Sequence, residues 1–442
     1  MYRDRSGFKP VAIVFRLIGY ELTCVSPWHR LSCIYVESRR MTEVPAETNE
    51  TADLHHGCAA PPLAGLKVLD LTRVLAGPYC TMILADLGAD VVKIERPETG
   101  DEARSFGPFL PSGDSAYFAS LNRGKSSVAL DLKDDVDRET FLQLVKRADV
   151  LVENFRPGVM DQLGIGPDAL QKINPSLIFA STSGFGQTGP YRDRPAYDVI
   201  IQAMSGLMSI TGHHADKPAR VGASISDIVA GMFTTIGILA ALQARRTGRS
   251  GTTLDLAMLD CSVAILENAI ARYELTGQTP EPLGTRHPSI TPFQGFPASD
   301  GTLVIAAGND RLWGKLCEVI EAPELVSDPL LETNSARTEN QVYLEKMVSE
   351  RIRSRTTSDW LTLLESAGIP AAPIQTIADM TNDEHLNSRG IFHRIHGQGD
   401  ESFTAAGSPF QIDGQRLQLS NQFPELGADN AAVLARWQSA SE

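Results

Sequence analysis

The sequence predicts an α/β fold built on a largely parallel sheet, and two observations carry that prediction. From Pro62 onward, short apolar runs of strand length alternate with longer stretches of helical length. The chain is also long enough, at 442 residues and 42% hydrophobic, to bury a large core, which suggests two or three domains. In order, strands are predicted at Lys67–Leu71, Asp90–Ile94, Ser127–Asp131, Val150–Glu153 and Leu177–Thr182. Helices are predicted at Tyr79–Leu87 and Arg138–Ala148, and then at Asp198–Ile210, Asp227–Arg245 and Leu259–Leu275, which follow one another closely. A second β/α region opens near Phe293, with Thr302–Ala307 as its strand and Leu312–Ile320, Asn340–Ile352 and Thr357–Ala367 as its helices. From about Ile391 the chain is polar, with short strand-like pieces, and no internal repeat occurs.

The charge balance narrows the function. Forty basic against 54 acidic residues leave −14, which argues against a broad nucleic-acid-binding surface but leaves room for a local basic pocket. The six cysteines (Cys24, Cys33, Cys58, Cys80, Cys261, Cys317) show no C-x-x-C pair and no disulfide-framework spacing, so reduced thiols and a cytoplasmic setting are expected. His55-His56-Gly-Cys58 lacks a second ligand group at metal-site spacing, and no metal is expected. The longest apolar run, Ile228–Leu242, falls short of a membrane span and reads as a buried helix. Residues 1–61 form an extension expected to be poorly ordered and without chemistry. Seven Lys and Arg against three acids before Met41 leave a mitochondrial presequence open, and Met41 an alternative start.

Gly184-Phe-Gly-Gln-Thr-Gly189 matches G-x-G-x-x-G and follows a strand, but Pro190-Tyr-Arg-Asp-Arg-Pro195 comes next and cannot open a helix. A glycine-rich loop over a substrate cavity fits better than a dinucleotide fingerprint. Asp198, after Tyr197, leads one predicted helix, and Asp227 leads the next, in Val221-Gly-Ala-Ser-Ile-Ser-Asp-Ile. Helix capping alone would explain either aspartate. At Asp227 the small neighbours leave space for a substrate, and the helix N-terminus favours an ionised carboxylate, the makings of a nucleophile. Basic and polar groups recur where strands end: Arg73, Arg96, Asn122-Arg123, Lys125, Lys133 and Asn154-Phe155-Arg156. In an open α/β sheet ligands bind at those ends, so a phosphate-bearing ligand is expected. Arg286 and His287 lie in a proline-bounded loop between the two α/β regions, where Arg286 could meet a free carboxylate or cap a turn.

Six motifs in order resemble the class III CoA-transferase family: Gly65-Leu-Lys-Val-Leu-Asp-Leu-Thr-Arg-Val-Leu-Ala-Gly-Pro78, Ala89–Pro97, Asn122-Arg-Gly-Lys-Ser-Ser, Val152-Glu-Asn-Phe-Arg-Pro-Gly158, Gly184–Pro190 and the Ser226-Asp227 pair. The resemblance spans roughly residues 62–390. It implies an interlocked homodimer, each chain with a large Rossmann-like parallel-sheet domain and a smaller α/β domain. The implied boundaries are 1–61 for the extension, 62–285 for the CoA-binding domain, 286–388 for the small domain, and 389–442 returning to the large one.

The resemblance also implies that Asp227 is the nucleophile, with Tyr197 and Asp198 supporting it. The implied CoA contacts are Leu75, Ala76, Arg96, Leu130, Lys133, Asn154, Phe155 and Arg156, and Arg286 and His287 fall on the substrate side. CoA and its thioesters enter as substrates, with no tightly bound cofactor. A carboxylic acid is the other partner, with neither nucleic acid nor membrane, and the compartment is the cytoplasm, or the mitochondrial matrix in a eukaryote. Some members carry a basic residue after the Asn-Phe motif where this chain has Gln162, so Arg156 is expected to take over that phosphate contact. An α-methylacyl-CoA racemase is the alternative within the same fold. Those enzymes place a histidine where this chain has Tyr197, and a tyrosine, with an ordinary pKa near 10, is a poor base. The loops Gly284–Ile290 and Ala307-Gly-Asn-Asp310 look most like the succinyl-CoA:glutarate type, which implies a dicarboxylic acid.

Overall fold

The computed structural model describes residues 60–438, together with two upstream strands, β1 (Ile13–Leu17) and β2 (Tyr20–Cys24), paired antiparallel. The rest of residues 1–59 lies outside the described part, and with it the expectation of a poorly ordered extension and the His55–Cys58 group.

The main sheet has six parallel strands: β3 (Lys67–Asp70), β4 (Asp90–Glu95), β5 (Ser126–Ala129), β6 (Val150–Glu153), β7 (Ile178–Ser183) and β8 (Thr252–Ala257). Their order is β5-β4-β3-β6-β7-β8, so the chain winds outward from β3 first one way and then the other. Around them run α1 (Ala76–Asp86), α2 (Ala116–Asn122), α3 (Asp135–Val145), α4 (Val159–Gln162), α5 (Pro167–Ile173), α6 (Asp198–Met204), α7 (Ile225–Arg246), α8 (Met258–Ala264) and α9 (Ala269–Thr276). Helices on both faces explain why the central strands read as continuous apolar runs. On one face Leu69, Val92 and Leu151 pack with Phe141 of α3 and with Trp437 of the C-terminal helix Asn430–Gln438. On the other face Val68, Val91 and Val150 pack with Leu84 of α1 and Ile238 of α7.

A second core, around Phe296, Trp313 and Trp360, is formed by residues 296–371. Its sheet is antiparallel, in order β11-β10-β9, from β9 (Phe293–Pro297), β10 (Thr302–Ala306) and β11 (Ala371–Pro373). Helices α10 (Asp310–Val319), α11 (Asn334–Glu339), α12 (Gln341–Ile352) and α13 (Thr357–Ser366) accompany it.

Four points differ from expectation. The single helix expected over 198–210 stops at Met204, because Gly206 turns left-handed (φ +88°) and only a short 3-10 turn, Met208–Ile210, follows. The helix expected over 259–275 is two helices, α8 and α9, parted at Glu267 (φ +55°). Strand β8 escapes the sequence reading because it is an edge strand whose outward positions are polar. Helix α7, at 22 residues, is longer than the apolar run and is long and apolar enough to cross a membrane by length and composition alone. Here one side of it lies against α1 and the sheet, as in the core of an α/β protein.

Candidate active site

In a sheet of this order the chain leaves β3 and β6 in opposite directions, opening a crevice at their carboxyl ends. The loops that follow are locked together there. The Arg73 amide donates to Asn154 Oδ1 and the Asn154 side-chain amide donates to the Arg73 carbonyl, both at 2.8 Å. The next residue, Val74, has φ +67°, a conformation costly for a β-branched side chain. Asp101 holds it there by accepting the Val74 amide at 3.1 Å, and Asp101 is itself fixed by buried Lys93 at 2.9 Å. The turn leads into α1, whose N-cap, Leu75, supplies no side-chain cap, so the helix's positive end faces the crevice.

Two adjoining cavities occupy the crevice and share Arg73, Phe155 and Arg156. The larger, about 570 Å³, is lined by Arg96, Leu130, Lys133 and Gln162 among others. The smaller, about 290 Å³, is lined by Leu75, Ala76, Asn154, Ser183, Gly184, Tyr197 and Asp227. Every residue expected to touch CoA thus falls on one continuous depression. Glu153, buried beside it, accepts the Phe155 amide at 2.8 Å, and burial pushes its carboxyl up to about 7. Not every basic residue predicted near strand ends reaches the depression. Arg123 is spent on Asp86 (2.6 Å) and Lys125 on Asp70 (2.9 Å), all four buried.

Asp227 lies in the first turn of α7, and the close crossing of two helices aims it. Gly231, one turn on and on the same face, sits so near α1 that an added Cβ would lie 2.6 Å from the Ala76 carbonyl oxygen. Asp227 is therefore brought to the start of α1. It makes no hydrogen bond or ion pair with any described residue, and the capping it could have supplied comes from Asp198. The Asp198 carboxylate accepts the Ser226 amide at 2.9 Å and the Gln202 side-chain amide at 2.7 Å, with Arg220 3.5 Å away. Gln202 in turn accepts the Val221 amide at 2.9 Å. Burial, and then the negative charge of Asp198, push the Asp227 carboxyl up to about 7. The expectation that the helix N-terminus would keep it ionised is reversed: lost hydration and a like charge outweigh the helix dipole.

Arg286 and His287 are not brought to this cavity within the chain. Arg286 lines a separate cavity of about 140 Å³ and donates to the Gln341 side chain, while His287 meets Phe293 edge-on at 5.6 Å. Sequence reasoning missed Arg192 and Arg194, which line the Asp227 cavity from the loop after the glycine turn. That loop can fold back because Gly184 has no side chain; a Cβ there would meet Ala196 Cβ at 2.2 Å. The Gln187 amide is pinned to Asp255 of β8 at 3.0 Å. Tyr117 of α2 was also missed; burial and then the charges of Asp227 and two other aspartates lift its phenol to about 12.

The arrangement offers an unpartnered carboxylate at the end of a basic, two-part depression able to hold a long phosphorylated ligand. Comparison with known proteins agrees. The sequence model described as CoA-transferase family III matches residues 63–430. The acetyl-CoA:oxalate CoA-transferase of Acetobacter aceti is 45% identical over 80% of this chain and 90% of its own length. The succinyl-CoA:glutarate CoA-transferase of Mus musculus is 42% identical over 84% and 86%. The crystal structure of a CAIB/BAIF family protein from Brucella suis superposes with a TM-score of 0.76 at 39% identity, covering 86% of this chain and all of its own. Relatives named for oxalate and for glutarate are about equally similar, so descent alone does not choose the acid. With the match covering most of its length and a carboxylate waiting at the switch point of its sheet, the chain belongs to CoA-transferase family III.

Proposed function

We propose that the enzyme moves CoA from succinyl-CoA to a dicarboxylic acid such as glutarate, with Asp227 as the nucleophile. The Asp227 carboxylate attacks the thioester carbonyl, the CoA thiolate leaves, and an aspartyl anhydride forms. The thiolate then attacks the Asp227 carbonyl carbon and expels the donor acid, leaving an aspartyl-CoA thioester. The acceptor carboxylate attacks that thioester and releases CoA thiolate. Attack of the thiolate on the acceptor's carbonyl completes the new CoA ester and restores Asp227. Each intermediate stays activated, so no ATP is needed, but each is open to hydrolysis and has to be shielded from water.

The observation that carries this reading is that Asp227 has no hydrogen-bond or ion-pair partner among the described residues, at the end of the depression lined by Arg96, Lys133, Asn154 and Arg156. A carboxylate with a structural task would be engaged, as Asp198 is. The glutarate choice rests on the loops Gly284–Ile290 and Ala307–Asp310 and on the relative named for that acid. We place the enzyme in an interlocked homodimer, which would cover the apolar side chains that α6, α7 and α9 expose, among them Ile200, Ile236 and Ile270. The test is mass spectrometry after incubation with succinyl-CoA and trapping with hydroxylamine. A hydroxamate on residue 227 is expected; exchange of acids with no mark on that residue would refute the reading.

A further inference from the structure

Two guanidinium groups in the Asp227 cavity are only weakly engaged among the described residues. Arg192 has a single ion-pair partner among the described residues, its chain neighbour Asp193 at 3.5 Å, and that carboxylate is 84% exposed. Arg194 stacks its guanidinium on the Tyr191 ring at 3.9 Å, and its side-chain donors make no hydrogen bond with any described residue. Both belong to the loop that Gly184 and Asp255 hold against the cavity, and both line it together with Asp227. The Arg192 guanidinium also comes within 3.9 Å of where a Cβ on Gly158 would stand, on the loop after β6. Arg286, the cation that the sequence offered for a free carboxylate, faces a different cavity and is bound to Gln341.

We infer that Arg192 and Arg194 form a carboxylate subsite that receives the far end of a dicarboxylic acid while its near end reacts at Asp227. The inference rests on the proposed role of Asp227 and deepens it. A planar guanidinium donates two parallel hydrogen bonds to a carboxylate, so the pair recognises an anion of that shape and charge. Because the acyl group of the donor and the acid that accepts CoA occupy the same position on Asp227, one subsite serves both halves of the reaction. Succinyl-CoA and a free dicarboxylic acid therefore depend on it alike.

The same cations could instead hold a CoA phosphate, and the experiment separates the two sources. The kcat/KM values for succinyl-CoA and for butyryl-CoA, which lacks the second carboxylate, are measured in the wild type and in Arg192→Gln, Arg194→Gln and the double variant. The ratio of succinyl-CoA to butyryl-CoA should fall by about 10- to 100-fold per lost charged hydrogen-bond donor, with partial recovery in the Lys variants. A ratio taken within one preparation is insensitive to the folded fraction. If both esters weaken together and the ratio holds, the arginines serve CoA and the inference is overturned. Titration with glutarate alone provides the second readout, with weaker binding expected in the double variant. Should the wild type form no adduct on Asp227 while glutarate binding still depends on the arginines, the subsite stands and the nucleophile falls; binding indifferent to the arginines would sink the subsite whatever Asp227 does.

Discussion

Helices α6 and α7 both carry an aspartate in their first turn, and the two stand in opposite surroundings. Asp198 is buried and fully engaged, joining the start of its own helix to the start of the next. Asp227 has been relieved of capping and stands open to the cavity with a carboxyl pushed up to about 7. Residue type and position in the helix are nearly the same, so neither decides reactivity. What sets them apart is that Asp198 has already taken the Ser226 amide, which leaves Asp227 facing the cavity without a partner among the described residues, as the proposed nucleophile requires.

The sharpest way to break this contrast is to exchange the roles. Asp227→Ala should fold and still lose transfer by at least about 10³-fold, as removal of a nucleophile does; near-normal steady-state turnover would end the comparison. Asp198→Ala should act mainly through structure. It strands the Ser226 amide and the Gln202 side chain, costing about 1–3 kcal/mol in denaturant unfolding, with a smaller loss of rate.

A finer probe is pH. Since only the ionised carboxylate attacks, adduct formation on Asp227 should rise with pH through about 7 and then level off. Removing the like charge in Asp198→Asn should move that midpoint down, though burial will keep it above the ordinary carboxylate value. A midpoint that stays put would show that Asp198 contributes no charge effect.

The last probe is thermal stability. The folded protein holds the Asp227 proton up to about pH 7, whereas the ordinary value is 3.8, so ionising it costs the folded state between those pH values. Asp227→Asn removes that cost, and its melting temperature relative to the wild type should increase from pH 4 to pH 8. A gap independent of pH would contradict the raised pKa.

The sheet was legible because buried strands leave a local mark: Val150–Glu153 is apolar enough to be read to the residue. Helix α1 starts at Ala76 rather than Tyr79, since Pro78 in a first turn lacks only an amide that would be unpaired anyway. The lining of the depression was legible because basic and polar groups recur at strand ends, and Asp227 because it leads a long apolar helix. Arg192 and Arg194 could not, since their position depends on Gly184 passing Ala196, a contact with no periodic signature. The loop between the two α/β regions does line a cavity through Arg286, but a separate one from that of Asp227, and its partner there, Gln341, lies 55 positions further along.

The far end of the described chain has a consequence of another kind. Strand β5 is an edge, yet Ser127 exchanges hydrogen bonds with Asp429 through its amide (2.8 Å) and carbonyl (3.0 Å), and Asn430 takes the Ala129 amide at 2.9 Å. A stretch of chain that is not itself a strand thus stands in for one, and the border of the sheet is closed to outside strands. Damage to this seam would show itself first as sticking between molecules, with precipitation preceding any failure of the chemistry some strands away.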